Sequence, residues 1–182
     1  NTDELINKYN SMGKVRYSVV SNSSEFNRIV NFYMKDIGTQ NFSGQPDITI
    51  EYWENPKYNI VNYPVKIENL SKTVNTNRVN EKGEFIYETI YFTKNTVKSE
   101  EYGEIEFYIS IKGAIGKNYK DTVTYKNSIE EITYTGNVPS EYRNTRNGSI
   151  VGKQKMMEKM QEELNNKIKS KVKQIYDFSL EI

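Results

Sequence analysis

One stretch of the chain, residues 84–112, constrains the fold more than any other. In its second half Ile105, Phe107, Ile109 and Ile111 alternate with polar residues, and a period of two with one apolar face is typical of a half-buried antiparallel strand. The first half carries apolar or aromatic residues at both alternating sets of positions, which favours a strand inside a sheet. Polar residues separate the halves, so we interpret the stretch as a hairpin of two long strands.

Composition narrows the classes of function. The chain has 182 residues and a net charge of +1, which suits one domain and gives no global field that would attract nucleic acid. It contains neither cysteine nor histidine, so disulfides, thiolate nucleophiles and the commonest general base and metal ligand are excluded. We therefore expect no cofactor and no metal.

The segments before the hairpin begin with a strand and a helix. Residues 1–13 are polar and predict an N-terminal tether, and residues 14–182 predict a single α+β domain. Residues 14–21 predict the first strand. Asn22, with Glu25 three residues later, forms a capping-box pattern before apolar residues at helical spacing. Gly38 predicts the end of that helix, about 14 residues long.

The middle of the chain predicts further strands with breaks. Residues 47–54 alternate as a strand that Asn55 and Pro56 end. Residues 58–70 alternate again, but Pro64 indicates an edge strand or an extended flap. The polar residues that follow, 71–83, predict a loop or turn.

After the hairpin, residues 119–125 and 129–135 predict one more strand, with an interruption between them left open. Residues 136–152 predict a long irregular loop. Residues 153–177 predict a helix, because seven apolar residues recur at helical spacing. The chain as a whole predicts an α+β fold in the order β-α-β-β-β-β-α, with an antiparallel or mixed sheet of about 4–6 strands and two helices packed on one face.

Aromatic residues are the first candidates for a binding site. Trp53, Tyr87, Tyr91 and Tyr108 occupy strand positions opposite the aliphatic stripes. Aromatic side chains separated by polar ones suit a flat partner-binding surface. The alternatives are a second, smaller core beneath a loop, or the ordinary preference of tyrosine for strands.

The predicted loop supplies the remaining candidates. Tyr142, Arg143 and Arg146 lie within it, and long loops are often functional. The alternative is a loop that merely crosses to the last helix. The lysines of residues 167–173 are most simply a solvated helix end, with contact to an anionic surface as the alternative.

Catalysis receives little support from the residues. Glu51, Glu88, Glu104 and Glu106 lie on predicted strands, where we interpret them as outward charges that keep a sheet face in water. An enzyme built on carboxylates requires two of them facing each other in a cleft. We expect the protein not to be an enzyme.

Four features of the chain resemble a known group of proteins. They are the opening strand at residues 15–20, the helix ending at Gly38, the entry to the second strand at residues 46–48, and the long last helix. Together they resemble the topology of bacterial cell-envelope lipoproteins, in which a strand–helix pair precedes an antiparallel meander and a closing helix. That group includes the lipopolysaccharide-assembly lipoprotein of the outer membrane and domains of curli-secretion and Tol-associated proteins.

The resemblance implies a non-catalytic interaction or assembly domain of the bacterial cell envelope, on the periplasmic side of a membrane or secreted. It implies an envelope protein or a glycan as partner, no nucleic acid, and membrane association only through an N-terminal anchor. The sequence starts at Asn1 without an initiator Met, so we expect a mature or trimmed product from which any targeting segment has been removed. The lipidated cysteine of that group is not in this sequence. The alternative function is a carrier of small ligands or glycans with a cystatin-like pocket.

Overall fold

The computed structural model describes residues 2, 15–40 and 43–182, so the predicted tether lies almost wholly outside the described residues. Within them the protein is α+β, with one mixed sheet of seven strands and two helices. The predicted class is therefore confirmed. The predicted count of 4–6 strands is wrong, and so is the predicted element order, because the sheet is larger.

The elements follow one another along the described part of the chain. They are β1 (Val15–Ser21), α1 (Ser24–Met34), β2 (Gly38–Thr39), β3 (Ile48–Asn62), β4 (Lys66–Val79), β5 (Phe85–Gly113), β6 (Lys117–Gly136), β7 (Thr145–Gly148) and α2 (Lys153–Ser179). The strand order in the sheet is β2-β1-β3-β5-β6-β7, and β4 also pairs with β5. Strand β1 runs parallel to β2 and β3, whereas β4 with β5 and β6 with β7 are antiparallel.

The chain forms two compact units. The first contains the described residues of Asn1–Lys57 together with Gly103–Tyr125 and Lys153–Ile182, and the second contains Tyr58–Tyr102 and Lys126–Gly152. The single domain proposed for residues 14–182 stays a prediction.

The predicted hairpin is wrong, because β5 is one strand of 29 residues. The polar residues that suggested a turn, 94–102, contain neither glycine nor proline, and those two residues are what a tight turn usually needs. Their backbone stays extended: Lys66 lies opposite Thr96, and the N–H of Tyr63 donates to the carbonyl of Lys98 at 2.9 Å. Most of these polar side chains belong to exposed or half-buried strand residues, whereas Glu101 is buried.

The turn lies earlier in the chain, between β4 and β5. The side-chain oxygen of Asn80 accepts hydrogen bonds from the backbone N–H groups of Lys82 at 2.9 Å and Glu84 at 3.0 Å. Gly83 adopts φ +79°, a conformation that glycine takes without strain. Strand β4 therefore continues to Val79, and the predicted loop over 71–83 is wrong for most of its length.

The predicted break at Asn55 and Pro56 is also absent, and the interruption left open in the strand after β5 does not occur. Strand β3 continues through Asn55 and Pro56. Its pairing with β1 ends before them, at Ser21 opposite Tyr52. Beyond that point β3 has an edge without β1, where a residue lacking an N–H is tolerated. Strand β6 is continuous over Lys117–Gly136, and the predicted irregular loop after it contains β7.

Helix α1 begins one residue later than predicted. Its N-cap is Ser23, whose hydroxyl accepts from the N–H of Phe26 at 3.2 Å. Asn22 instead bonds both the N–H and the carbonyl of Glu54, at 3.0 and 2.9 Å. The helix ends at Met34, and Gly38 pairs with Val15 in β2 rather than ending the helix.

The first unit contains an apolar core between helices and sheet. The ring of Phe26 on α1 stacks on Tyr52 of β3 with centroids 4.1 Å apart. Met160 of α2 lies directly over Gly103, on the side of β5 that also carries the buried residues Ile105, Phe107, Ile109 and Ile111. Each such side chain contributes roughly 1.5–3 kcal/mol when fully buried, so the alternation in β5 drives the docking of the helices.

Candidate functional site

One face of the β4–β5 pair, within the second unit, is open to solvent and uncharged. The register runs without interruption from Ile67 opposite Asn95 to Asn75 opposite Tyr87, and alternate residues of paired strands share a face. We call this surface the tyrosine face. It consists of Ile67, Asn69, Ser71, Thr73 and Asn75 from β4 and of Tyr87, Thr89, Tyr91, Thr93 and Asn95 from β5.

Tyrosine side chains stand out from this face. Tyr91 is 71% exposed and Tyr87 is 59% exposed. Around Tyr91 lies a shallow depression of about 300 Å³, lined also by Asn69, Thr93 and Thr135. A phenol ring surrounded by amide and hydroxyl groups can make apolar contact and hydrogen bonds at one place.

Gly136 contributes to this depression through its lack of a side chain. It adopts φ +98°, and a Cβ there would lie 3.2 Å from the carbonyl oxygen of Tyr91. The β6 backbone therefore approaches β5 closely behind the exposed ring.

The opposite face of the same strand pair is charged and partly covered. Phe92 is only 3% exposed, and its ring centroid lies 4.8 Å from that of Tyr142 and 6.2 Å from that of Tyr134. Lys72 forms an ion pair with Glu141 beside this cluster. Tyr142 is thus half-buried in a small aromatic cluster with Phe92 and Tyr134.

The other candidate aromatics lie in the first unit. Trp53 is 42% exposed and Tyr108 is 41% exposed, and together with Asn22 and Glu106 they line a depression of about 320 Å³. The four aromatic candidates are therefore divided between the units, with Tyr87 and Tyr91 in the second and Trp53 and Tyr108 in the first.

The two arginine candidates are exposed. Arg146 lies on β7 opposite Glu131 of β6, with its Nε 3.2 Å from the carboxylate. Among the lysines of α2, Lys167 bonds Asp121 at 3.0 Å and the Nζ of Lys171 lies 4.6 Å from the ring centroid of Tyr119. These charges have local partners on the strands next to them.

A buried carboxylate is the feature that sequence reasoning missed. Glu101 is 0% exposed and accepts four hydrogen bonds within the described part of the second unit. The donors are the Tyr58 hydroxyl at 2.7 Å, the Asn127 amide at 3.0 Å, and the N–H groups of Val151 at 2.7 Å and Gly152 at 3.1 Å. The alternation that points Ile105 inward extends back to Glu101, and that was the available signal.

The bonds to Glu101 fix its charge state. Burial acts to raise the pKa of this carboxyl, but the N–H groups of Val151 and Gly152, with Tyr58 and Asn127, together lower the pKa below its usual value. A carboxylate whose acceptor positions are all used inside the protein holds the chain around Val151 and Gly152 in place. It has no exposed oxygen with which to meet a substrate.

The carboxylates considered for catalysis are dispersed. Glu51 pairs with Lys112 and Glu106 with Lys120, both at 3.1 Å, while Glu88 is exposed and Glu104 is half-exposed. Over the described ranges, no three acidic, histidine or cysteine side chains come together in a way that could hold a metal ion. No helix within those ranges is both long and apolar enough to span a membrane.

Comparison with known proteins finds no family model that matches the chain and no curated protein with significant sequence similarity.

Proposed function

We propose that the protein is a non-catalytic interaction domain that binds its partner through the tyrosine face. The observation that carries this proposal is the pair of exposed rings, Tyr87 and Tyr91, on an uncharged surface of Thr, Asn and Ser side chains. Tyrosine offers a large, rigid, amphipathic contact with few rotatable bonds to immobilise, and Ser and Asn adapt their hydrogen bonds to the partner.

The character of the surface indicates the character of the partner. Because the tyrosine face has no charge, it suits a neutral polar surface, and association should depend little on ionic strength. An envelope protein or a glycan has the required chemistry. Placement in the bacterial cell envelope, with an N-terminal anchor as the means of membrane association, rests on the topological resemblance alone.

The other candidate residues take lesser roles in this proposal. Trp53 and Tyr108 form a second exposed aromatic surface, on the first unit, and Arg143 and Arg146 add charge close to the half-buried Tyr142 in the sequence. A carrier with an internal pocket has less support, because the depression of about 460 Å³ beside Tyr63 and Pro64 in the second unit is open to solvent and lined by Lys66, Lys94 and Lys98.

The test compares two double variants that each remove two exposed aromatic rings. Tyr87→Ala with Tyr91→Ala should reduce binding to envelope extracts, or to an array of neutral glycans, by at least tenfold, since buried tyrosines at interfaces contribute more than about 1 kcal/mol each. Trp53→Ala with Tyr108→Ala is the matched control and should bind as wild type does. Loss of binding in the control alone would place the interface on the first unit instead.

A further inference from the structure

Within the described part of the chain, strand β4 presents a long backbone edge without a partner strand. It spans 14 residues, and among the described residues it pairs with β5 alone. The strands at the two ends of the main strand order, β2 and β7, have two and four residues. Short edge strands are a common protection against unwanted pairing, whereas a long edge exposes a row of backbone donors and acceptors to any strand of matching chemistry.

The side chains along β4 match a second copy of β4. In an antiparallel pair that is symmetric about Leu70, Glu68 of each copy faces Lys72 of the other, and Leu70 faces Leu70. Both charges are partly exposed, with 35% of the Glu68 side chain and 40% of the Lys72 side chain accessible. Opposite charges directly across a strand pair stabilise it and like charges destabilise it.

The neighbouring symmetric registers either lack this complementarity or extend beyond the regular part of β4, which becomes irregular between Asn75 and Val79. Symmetry about Glu68 or about Lys72 places each of those residues against itself, and symmetry about Asn69 sets Lys66 against Lys72. Symmetry about Ser71 places Glu68 opposite Val74 and Lys72 opposite Leu70, so neither charge faces an opposite charge. Symmetry about Ile67 pairs Glu68 with Lys66 but extends over Pro64, which cannot donate to a ladder. Symmetry about Leu70 keeps residues 66–74 of both copies inside β4.

We propose that two copies of the chain associate by antiparallel pairing of β4 with β4, centred on Leu70. The contact is isologous, so the same residues serve both copies and the assembly closes as a dimer. One strand pair with two ion pairs and one apolar contact is a small interface, of the kind found in transient complexes. This surface is the edge of the second unit and is independent of the proposed role of the tyrosine face.

Single cysteines test the register directly, because the chain has none of its own. Leu70→Cys places two thiols across the symmetry axis and should give a disulfide-linked dimer under mild oxidation. Asn75→Cys is the control: the two copies of residue 75 are ten residues apart along the pair, about 33 Å, and should not link. Linking of both variants to the same extent would overturn the proposal, because it indicates random collision or a parallel register.

Charge reversal gives a second measurement that leaves Leu70 unchanged. In sedimentation experiments at high protein concentration, Glu68→Lys and Lys72→Glu should each weaken the dimer roughly tenfold, since each introduces two like-charge contacts. The double variant should restore the dimer. Glu68 also lies 3.6 Å from Lys66 and 3.9 Å from Lys94, and Lys72 pairs with Glu141. Lys66→Gln, Lys94→Gln and Glu141→Gln therefore serve as controls for the loss of internal ion pairs.

The outcomes separate the possible occupants of the edge. A wild-type chain that stays monomeric, or a double variant that fails to restore the dimer while remaining folded, rules out the self-pairing. A dimer whose stability is unchanged by Glu68→Lys and by Lys72→Glu also rules it out and places the contact elsewhere. Linking of Leu70→Cys to a different protein in preference to itself would assign the edge to a strand of that partner.

Discussion

Glu101 shows how a single polar residue organises the second unit. A buried carboxylate without partners is strongly unfavourable, whereas one that accepts several hydrogen bonds is tolerated and fixes its neighbours. Here two donors are backbone N–H groups at Val151 and Gly152, immediately before α2 in the chain. The carboxylate thus sets the path of the segment that leads into the last helix.

Replacing the Glu101 carboxylate should change how the stability of the protein depends on pH. Glu101→Gln places an amide N–H group opposite hydrogen-bond donors, and we expect the free energy of unfolding to fall by roughly 2–4 kcal/mol at neutral pH. The folded pKa lies below the ordinary value of 4.5, so the stabilisation is complete above that pH and disappears as the pH falls through the folded pKa. Urea unfolding at several pH values should show that the free energies of unfolding of wild type and variant become equal in acid. A constant difference down to the lowest pH would contradict the assignment.

Two glycines of the first unit offer a matched comparison. Gly113 adopts φ +104°, and a Cβ there would collide with the backbone of Asp47, whereas a Cβ on Gly116 meets no described atom within 4 Å. Gly113→Ala should therefore cost at least about 2 kcal/mol, and Gly116→Ala should be close to neutral. Thermal unfolding of the two variants measures the difference. Equal midpoints would mean that the β5–β6 connection tolerates rearrangement.

At the scale of elements, the sequence supports the existence of strands and helices better than their ends. The alternation at Ile105–Ile111 correctly indicated the core face, and helical spacing correctly indicated both helices. The turn was misplaced because solvent-facing Thr, Lys, Asn and Glu occur both in loops and on exposed strands. Pro56 was read as a break because a sequence does not show which strand edges lack a partner. For the candidate site, alternation indicated that Tyr87 and Tyr91 lie opposite the aliphatic positions, and both are exposed. The half-buried position of Tyr142 depends on the distant Phe92.

The continuity of β5 can be tested by hydrogen exchange. Amides over residues 94–102 lie inside a paired strand and should exchange slowly, whereas those of the turn at residues 80–84 should exchange within the earliest time points. Peptide-resolved mass spectrometry distinguishes the two segments. Fast exchange over 94–102 would instead support a hairpin at that position.

At the scale of the whole molecule, burial is distributed unevenly. The first unit contains nearly all of the buried apolar residues, while Phe92 is the only large buried apolar side chain of the second among the residues that the structure describes. Stability within one chain varies with local burial. The apolar contribution to the stability of the second unit should therefore come mainly from the cluster of Phe92, Tyr134 and Tyr142.

Paired truncations test this dependence. Phe92→Ala should cost roughly 3–5 kcal/mol and open residues 66–96 to proteolysis, while the amides of α2 keep their protection. Phe107→Ala, which removes the same side chain from the first unit, should reduce the protection of α1 and α2. Mass spectrometry of the early proteolytic fragments shows which segments open. Identical cleavage patterns in the two variants would show that the units unfold together.

The length of β5 also limits how the gene can vary. Strand faces alternate with every residue, so removing one residue between Tyr91 and Gly103 would turn one part of the strand over relative to its present neighbours. Either the rings of the tyrosine face or the side chains beneath the helices would then point the wrong way. Loss or gain of two residues preserves both faces. Insertions and deletions that survive selection within this strand should therefore come in even numbers of codons.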